Sequence, residues 1–399
     1  MMADLATLDL KPYIDEFGPE KIIVVSDPKT GMKGYLVLDN SSRGLPKGGS
    51  RMAPDLTLTT VMRLARAMTW KYAAIDVNLG GAKGGIVADP KSPHKEEILR
   101  AWAYSLREYI PKVYVFGLDM GLSERDAAVV CDELKDLTAS VAKPSVLGGL
   151  PYDEIGAAGY GVAEAALEAL EFLGKDPAKT VASVQGFGAL ASASAKRLFE
   201  AGATVVAISS VDGALYDKGG LDIPKLLKLK KEYGDACVKE YKGGKLLPLG
   251  EESFVDCDVL IPGAKEDVIT KANVGKVKAT VIAEGANMPI TPEAEKILHD
   301  RDVVLIPDFL ANAGAAVVAG IEMFTRFNPV SPGLEGIYKT ISDKIRPNTR
   351  LVLEEWSKTK RFTRDTMLDI SKKRVLQAMD YRGQLTPELK KKYKAYLEG

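Results

Sequence analysis

The order of apolar and polar positions predicts strands and then helices in the first third of the chain. Two short segments rich in β-branched and aromatic residues, Ile22–Val25 and Tyr35–Leu38, predict strands separated by a turn. Apolar residues three and four positions apart predict helices over Leu58–Tyr72, Lys95–Tyr109 and Glu124–Leu134. This part of the chain therefore combines strands with helices in one α/β domain.

The pattern changes from about Gly156, where helical segments alternate with short apolar strands. A helix is predicted over Ala189–Glu200. The predicted strands are Ala182–Val184, Thr204–Ile208, Val259–Ile261, Ala279–Ala283 and Val303–Ile306. Such alternation is typical of a doubly wound parallel sheet of the Rossmann type. After about Pro332 the chain becomes helical and basic.

These changes of pattern predict two α/β domains. The length agrees, because 399 residues are more than one hydrophobic core ordinarily contains. We place the boundaries so that residues 1–150 form the first domain and 151–332 the doubly wound domain. Residues 333–399 form C-terminal helices.

Composition excludes several classes of function. Lys and Arg number 54 and balance 54 Asp and Glu, so the chain lacks the basic face of a nucleic-acid-binding protein and any attraction to an anionic membrane. No apolar stretch reaches the roughly 18 residues of a membrane span. The acidic segment 1–13 does not resemble a secretory signal. We expect a soluble protein that binds neither nucleic acid nor membranes.

Cysteine and histidine usage bears on metal binding and location. The three cysteines (Cys131, Cys237 and Cys257) are far apart and odd in number, without metal-binding or disulfide spacing. There are only two histidines. We therefore predict a protein of the reducing cytoplasm with no metal site.

A glycine-rich turn between a predicted strand and helix indicates a dinucleotide site. The segment matches G-x-G-x-x-A over Gly186, Phe187, Gly188, Ala189, Leu190 and Ala191. Its glycines allow a tight turn and close approach of a pyrophosphate to the helix N-terminus. A strand-to-helix turn of small residues would look the same, but the flanking strand and helix favour cofactor binding.

The end of the next predicted strand bears on the choice between NADP and NAD. NAD-binding folds place an acid there for the ribose hydroxyls, whereas this strand ends in Ser209 and Ser210, and the first acid is Asp212. A neutral strand end removes the carboxylate that would repel a 2′-phosphate. NADP is therefore slightly favoured over NAD, and the alternative is that Asp212 reaches the ribose.

Three lysines and one aspartate before this turn suggest a site for a small carboxylate. Lys83 lies in a predicted loop, Gly80–Gly85, where a desolvated lysine can transfer protons or polarise a carbonyl. Lys47 and Asp119 also have glycine neighbours, and Lys71 continues the apolar stripe of its helix. Taken singly, Lys83 could be a flexible surface residue and Lys71 a snorkelling one.

The motifs together resemble the glutamate/leucine/phenylalanine/valine dehydrogenase family from about residue 20 to 330. The matching segments are Lys47–Arg51, Met68–Lys71, Gly80–Gly85, Asp119–Gly121, Gly186–Gly188, Pro262–Ala264, Glu284–Asn287 and Ala311–Gly314. The resemblance implies reversible, NAD(P)-dependent oxidative deamination of an amino acid. It also implies a homo-oligomer, commonly a hexamer, formed through an N-terminal substrate-binding domain against which the C-terminal helices pack.

The resemblance also implies roles for individual residues. Lys83 matches the catalytic lysine, Asp119 the proton-shuttling acid, and Lys71 the ligand of the substrate α-carboxylate. Lys47 matches the lysine that pairs with a glutamate side chain in glutamate-specific members. The implied cofactor ligands are the turn from Gly186 to Ala191, Ser210, Asp212, Ala264, and, at the nicotinamide half, Asn287 and Asn312.

Two positions depart from the glutamate-specific pattern. Ala158 and Ala319 stand where those members carry threonine and serine, so the expected pocket loses two hydroxyl groups. We weight Lys47 above them because charge-assisted hydrogen bonds are stronger than neutral ones. Glutamate is the first hypothesis; the alternatives are a dehydrogenase of an apolar amino acid and a regulatory subunit of a mixed oligomer with little turnover.

Overall fold

The computed structural model describes residues 9–324 and 330–398 of the chain. Their contacts form two compact units. The first comprises Met1–Pro151, Ala319–Ser331 and Ile370–Gly399, and the second Tyr152–Val318 and Pro332–Asp369. Residues 1–8 of the segment judged unlike a secretory signal lie outside the described residues.

The first unit contains a five-stranded sheet in which the glycine-rich segment is the central strand. The strands are β1 (Lys21–Asp27), β2 (Met32–Asn40), β3 (Pro46–Lys47), β4 (Ser50–Met52) and β5 (Gly80–Ile86). β5 pairs antiparallel with β2 and parallel with both β3 and β4, while β1 completes the antiparallel edge. The prediction of a loop around Lys83 was therefore wrong, because every residue of β5 is a buried strand residue.

Close packing explains why glycines occupy this strand. A Cβ added at Gly81 would lie 2.0 Å from Oγ1 of Thr69, and one added at Gly84 would lie 2.1 Å from Oγ of Ser50. Glycine is depleted in strands because it packs poorly, but it is used where another backbone or side chain approaches closely. The sequence pattern shows the glycines but not the neighbours that exclude a side chain.

Three helices accompany this sheet: α1 (Leu58–Ala74), α2 (Lys95–Ser105) and α3 (Glu124–Leu134). Thr57 caps α1 by accepting a hydrogen bond from the backbone N–H of Thr60. α2 ends four residues earlier than predicted, because residues 106–109 form turns with bonds to carbonyls three residues back. The core beneath the sheet centres on Leu36, Ile86 and Trp102, all fully buried.

The second unit contains a seven-stranded sheet ordered β12-β11-β10-β6-β7-β8-β9. The strands are β6 (Val181–Gln185), β7 (Thr204–Ser210), β8 (Gly213–Tyr216), β9 (Lys245–Leu247), β10 (Val259–Pro262), β11 (Val281–Ala283) and β12 (Val304–Ile306). β12 to β7 run parallel, whereas β8 and β9 are antiparallel. The predicted α/β fold with a doubly wound sheet is confirmed. The direction of winding reverses between β6 and β10, where such sheets bind ligands at the carboxyl ends of their strands.

Helices make up most of the remaining chain. They are α4 (Tyr152–Ile155), α5 (Ala157–Phe172), α6 (Ala189–Glu200), α7 (Ile223–Tyr233), α8 (Cys237–Glu240), α9 (Pro292–Asp300), α10 (Asp308–Ala311), α11 (Gly314–Phe324), α12 (Gly333–Thr359), α13 (Thr363–Tyr381), α14 (Pro387–Lys392) and α15 (Lys394–Glu398). Among the described residues, none of these helices is both long and apolar enough to cross a membrane.

The C-terminal helices divide between the two units rather than joining the first one as a block. α12 packs on α5, where Nη2 of Arg346 lies 3.0 Å from Oε2 of Glu168 and Tyr338 stacks on Tyr160. From Ile370 onward the chain packs in the first unit, with Val375 and its neighbours against Phe17. The apolar face of α12 and that of the chain from Ile370 onward pack against different partners. The periodicity of the sequence predicts such faces but not the partners they contact.

Candidate active site

Lys83 and Asp119 form an ion pair at the centre of the first unit. Lys83 projects from β5 with its side chain 7% exposed, and its Nζ lies 3.1 Å from Oδ2 of Asp119. Asp119 follows a segment that runs beside β3 and β4, with bridges between Lys47 and Val115 and between Ser50 and Leu118. The sheet register thus brings together two residues 36 positions apart in sequence.

The surroundings of this pair shift both titrating groups. Burial lowers the pKa of the Lys83 ammonium, and the Asp119 carboxylate acts in the opposite direction. Burial raises the pKa of Asp119, but Lys83 and Arg51 outweigh it and hold the carboxyl below its usual range. Asp119 is therefore a charged proton acceptor beside a lysine whose proton is held less tightly than usual.

Arg51 belongs to this site, although sequence reasoning gave it no role. Its Nε donates to Oδ2 of Asp119 at 2.7 Å, so one carboxylate oxygen receives two cations. In β4, Ser50 and Met52 are buried while Arg51 points to the other face. Its position at the end of the segment that matches the family was the available signal.

Lys47 is nearly fully buried and bonds to the backbone. Its Nζ donates to the carbonyls of Val115 at 3.0 Å and Phe116 at 3.1 Å. Burial lowers the pKa of Lys47 to about 7; the Glu322 carboxylate opposes this shift, and the cations Lys83 and Lys143 reinforce it. Lys47 is thus electrostatically coupled to Lys83.

A second buried ion pair adjoins Lys47. Nζ of Lys143 lies 2.9 Å from Oε1 of Glu322, and both side chains are almost entirely inaccessible to solvent. The other carboxylate oxygen accepts a hydrogen bond from the backbone N–H of Ala142 at 2.8 Å. Removing either charge would leave the other buried without its ion-pair partner.

The remaining predicted substrate residues lie on helices. Lys71 is half-buried in the last turn of α1, one turn beyond Met68, which would lie 3.2 Å from a Cβ added at Gly48. Residues three apart in a helix share one face, so Lys71 lies on the same side of α1 as Met68. That side faces Gly48, the neighbour of Lys47 in sequence. Ala319 is buried in α11 in the first unit, whereas Ala158 is half-buried in α5 in the second.

The second unit has a cavity of about 800 Å³ at the carboxyl ends of β6 and β7. Its lining includes Gly186, Phe187, Gly188, Ser210 and Ala264. Gly186 has a φ of +94°, a backbone conformation that favours glycine. The cavity therefore gathers five of the eleven predicted cofactor residues.

This cavity fits a dinucleotide at the N-terminus of α6. The N-cap residue, Gly188, supplies no side-chain hydrogen bond to the first turn, which begins at Ala189. A Cβ added at Gly188 would meet nothing within 4 Å, so space is available over the helix N-terminus. Unsatisfied N–H groups and the helix dipole suit a pyrophosphate there.

The residues at the end of β7 bond to one another and to the protein. Oγ of Ser210 donates to the carbonyl of Asp235 at 2.7 Å and accepts the N–H of Asp212 at 3.1 Å. Oδ1 of Asp212 lies 2.8 Å from Nζ of Lys239. The nearest acid to the strand end is thus partly neutralised by a lysine.

At the end of β11 and in α10–α11, two asparagines come together. Nδ2 of Asn312 donates to Oδ1 of Asn287 at 2.9 Å and to the carbonyl of Gly285 at 3.1 Å. Two motifs 25 residues apart in sequence therefore form one polar cluster.

Among residues 9–324 and 330–398, no group of three or more His, Cys, Asp or Glu side chains is placed to hold a metal ion. All three cysteines are free and buried.

Models of two known protein families match segments of this chain in both units. Residues 19–136 match the model described as "Glu/Leu/Phe/Val dehydrogenase, dimerisation domain", and residues 148–383 match "Glutamate/Leucine/Phenylalanine/Valine dehydrogenase". The chain belongs to this dehydrogenase family. The resemblance predicted from the motifs is confirmed.

Individual dehydrogenases of the family are similar over nearly the whole chain. The NADP-specific glutamate dehydrogenase of Saccharolobus shibatae is 35% identical, covering 96% of this chain and 95% of its own. The NAD-specific glutamate dehydrogenase A of Halobacterium salinarum is also 35% identical, covering 88% and 82%. The hetero-hexameric glutamate dehydrogenase of Thermus thermophilus, solved in a leucine-bound form, superposes with a TM-score of 0.80 at 27% identity, over 94% of this chain and 93% of that one.

Proposed function

We propose that this protein catalyses reversible oxidative deamination of an L-amino acid, with L-glutamate as its substrate. The observation that carries the proposal is the buried Lys83–Asp119 pair, with Nζ 3.1 Å from Oδ2. Oxidation removes a hydride from the substrate α-carbon, and the nicotinamide cofactor supplies the hydride acceptor. Water then hydrolyses the resulting imino acid to a 2-oxo acid and ammonium.

The two residues of the pair divide the proton chemistry. Lys83, whose pKa is lowered by burial, activates the attacking water and stabilises the charge that develops on the substrate. Asp119, held ionised by Lys83 and Arg51, accepts and returns protons between the amino group and the water. Lys71 would bind the substrate α-carboxylate, as its matching position implies.

Lys47 supports an acidic side chain in the substrate. A substrate carboxylate can replace the carbonyls of Val115 and Phe116 as partner of its Nζ, and a charge-assisted bond is the stronger one. The relatives described as glutamate dehydrogenases support the same substrate.

A dehydrogenase of an apolar amino acid is the second candidate. Two observations favour it: Ala158 and Ala319 offer no hydroxyl group, and the pKa of Lys47 falls to about 7. A neutral Lys47 would leave the pocket without a charge for a carboxylate. The third hypothesis, a regulatory subunit, has less support because the Lys83–Asp119 pair is in place.

NADP is the proposed cofactor, with NAD as the alternative. β7 ends in the neutral Ser210, and the first acid after it, Asp212, is paired with Lys239, so this acid opposes a 2′-phosphate only weakly. Relatives of equal identity are named as NADP-specific and NAD-specific, so the proposal rests on these residues.

We also propose a homo-oligomer, a hexamer, located in the cytoplasm. The first unit matches a model described as a dimerisation domain, and the similar Thermus protein, although hetero-hexameric, has six subunits. Free cysteines suit a reducing compartment. In this proposal residues 1–150 bind substrate and mediate assembly, and residues 151–332 bind the dinucleotide.

A substrate panel tests these proposals. Purified protein is assayed by absorbance of the reduced cofactor with glutamate, leucine, valine, phenylalanine and aspartate, each with NADP and NAD. Turnover with glutamate and NADP is expected. Activity with leucine but not glutamate would replace the first candidate by the second, and no turnover with any amino acid would leave only the regulatory subunit. Sedimentation equilibrium measures the oligomer.

A further inference from the structure

A buried polar chain supports the glycine turn of the dinucleotide cavity. The backbone N–H of Gly186 donates to Oγ of Ser209 at 2.8 Å, and that hydroxyl bonds to Oε1 of Glu252 at 2.9 Å. The second carboxylate oxygen accepts the N–H of Gly250 at 2.7 Å. Ser209 is 2% exposed and Glu252 is fully buried.

Hydrogen-bond chemistry determines the direction of this chain. A carboxylate has no hydrogen to donate, so Ser209 must direct its single hydroxyl hydrogen at Glu252. The lone pairs of Oγ then remain available for the N–H of Gly186. In its ionised form Glu252 therefore orients the Ser209 hydroxyl as an acceptor towards the turn; burial raises the pKa of Glu252, whereas the bonds from Ser209 and Gly250 lower it.

The consequence concerns which groups face a pyrophosphate. The N–H of Gly186 is already bonded, so the free donors are the N–H groups of the first turn of α6, beginning at Ala189. Gly186 adopts its positive φ of +94° immediately before that turn. The orientation of its peptide group sets where Phe187 and Gly188 enter the cavity.

The same glutamate is anchored a second time from the neighbouring strand. Oγ of Ser183, on β6, donates to the carbonyl of Glu252 at 2.6 Å. Ser183 thus holds the backbone of the segment, whereas Ser209 connects its carboxylate to Gly186. These two buried serines provide a matched comparison, since replacing either by alanine removes one hydroxyl hydrogen bond to Glu252. Only Ser209 connects Glu252 to Gly186.

We propose that Ser209 and Glu252 are positioning residues for the dinucleotide: the carboxylate, acting through the hydroxyl, holds Gly186 so that the N-terminus of α6 is presented to the pyrophosphate. The inference rests on the proposed dinucleotide-dependent function. Both side chains act through Gly186 and neither is assigned a contact with the cofactor. They determine cofactor affinity without taking part in proton transfer.

Four variants of the full-length protein test the proposal: Ser209→Ala, Ser209→Thr, Glu252→Gln and the control Ser183→Ala. ADP-ribose, which contains the pyrophosphate, is titrated by calorimetry, and adenosine, which lacks it, by displacement of the fluorescent reduced cofactor. We expect Ser209→Ala to weaken ADP-ribose binding about tenfold, one hydroxyl bond of about 1.4 kcal/mol, and adenosine less than twofold. Glu252→Gln should have a similar effect, whereas Ser209→Thr and Ser183→Ala should stay within about threefold of the unaltered protein.

Steady-state kinetics distinguish a positioning role from a general loss of stability. KM for the cofactor should rise in Ser209→Ala, while kcat and KM for the amino acid stay within twofold. Equal losses in Ser209→Ala and Ser183→Ala, or equal losses for ADP-ribose and adenosine, would overturn the positioning role. If Ser209→Ala does not fold, the comparison of Glu252→Gln with Ser183→Ala decides the question. Failure of the unaltered protein to bind any dinucleotide would instead contradict the proposed function.

Discussion

Nζ of Lys83 lies 3.1 Å from Oδ2 of Asp119, and β3 and β4 pair both with β5 and with the segment before Asp119. The same oxygen accepts a hydrogen bond from Arg51 at 2.7 Å. Two cations on one carboxylate keep it ionised, while burial weakens the hold of Lys83 on its proton. This arrangement supports the proposed role of the pair in proton transfer.

Replacement of Lys83 by methionine should abolish turnover and leave cofactor binding intact. The methionine keeps the apolar stem but has no proton to transfer, and the dinucleotide cavity belongs to the second unit. We expect kcat to fall by about 10²–10⁴. The control is Lys33→Met, which removes an exposed lysine from the adjacent strand β2. Near-normal rates in Lys83→Met would refute the assigned role.

Asp119→Asn tests the acceptor in the same pair. The amide keeps the shape but cannot take up the proton, so kcat should again fall by about 10²–10⁴. Arg51→Met keeps the carboxylate and its contact with Lys83, so it should reduce kcat less than Asp119→Asn does. Steady-state kinetics with matched cofactor saturation provide the comparison, and a larger loss in Arg51→Met would reverse the assignment.

Gly81→Ala should destabilise the first unit through overpacking. The added Cβ would lie 2.0 Å from Oγ1 of Thr69 and 2.4 Å from its backbone nitrogen, so α1 and β5 would have to separate. Overpacking of this kind costs about 1–3 kcal/mol. Gly275→Ala is the control, since a Cβ there meets nothing within 4 Å. Urea unfolding should show the first loss and a change of about 0.5 kcal/mol or less in the control.

Lys47 should make stability depend on pH. Its pKa is about 7 in the folded protein against an ordinary 10.5, so between these values the unfolded chain binds one more proton. The free energy of unfolding therefore rises with pH across this window, by at most about 1.4 kcal/mol per unit, and below pH 7 the full penalty of burying the charge applies. Compared with Lys47→Met, the unaltered protein should gain about 2 kcal/mol between pH 7 and pH 9 in urea titrations. A constant difference would contradict the shift.

Arg364 should be important for the stability of the second unit. Its guanidinium contacts Glu284 at 2.5 Å, Asp308 at 2.8 Å and Glu295 at 3.0 Å, and Glu284 is fully buried. Arg364→Met would leave buried carboxylates without a cation, at a cost of about 3–5 kcal/mol.

The matched control for this network is Arg361→Met. Arg361 is half-exposed and pairs with Asp369 in the same unit, so its loss should change the free energy of unfolding by about 1 kcal/mol or less. Calorimetric or urea unfolding measures both variants. Similar losses in the two would mean that the network contributes no more than a surface pair.

The periodic parts of the fold were predictable from sequence. α3 and α6 have the predicted limits, and the five strands predicted from Ala182 onward are present within about two residues. β8 and β9 were missed because they have only four and three residues, too few to show a pattern, and β9 is a mostly exposed edge strand. α12 and α13 are helical as predicted, but α12 lies in the second unit, whereas α13 belongs to the first unit from Ile370 onward.

The sequence by itself determined the family, the doubly wound sheet and the identity of Lys83, Asp119 and the glycine turn as candidates. These follow from local periodicity and from motifs, both of which depend only on residues close together in sequence. Only the tertiary structure decided that Gly80–Ile86 is a buried central strand, that Arg51 shares Asp119 with Lys83, and that Ser209 connects Glu252 to Gly186. The physical reason is that each of these depends on which side chains meet across strand registers and helix faces, and residues distant in sequence acquire such partners only when the chain is packed.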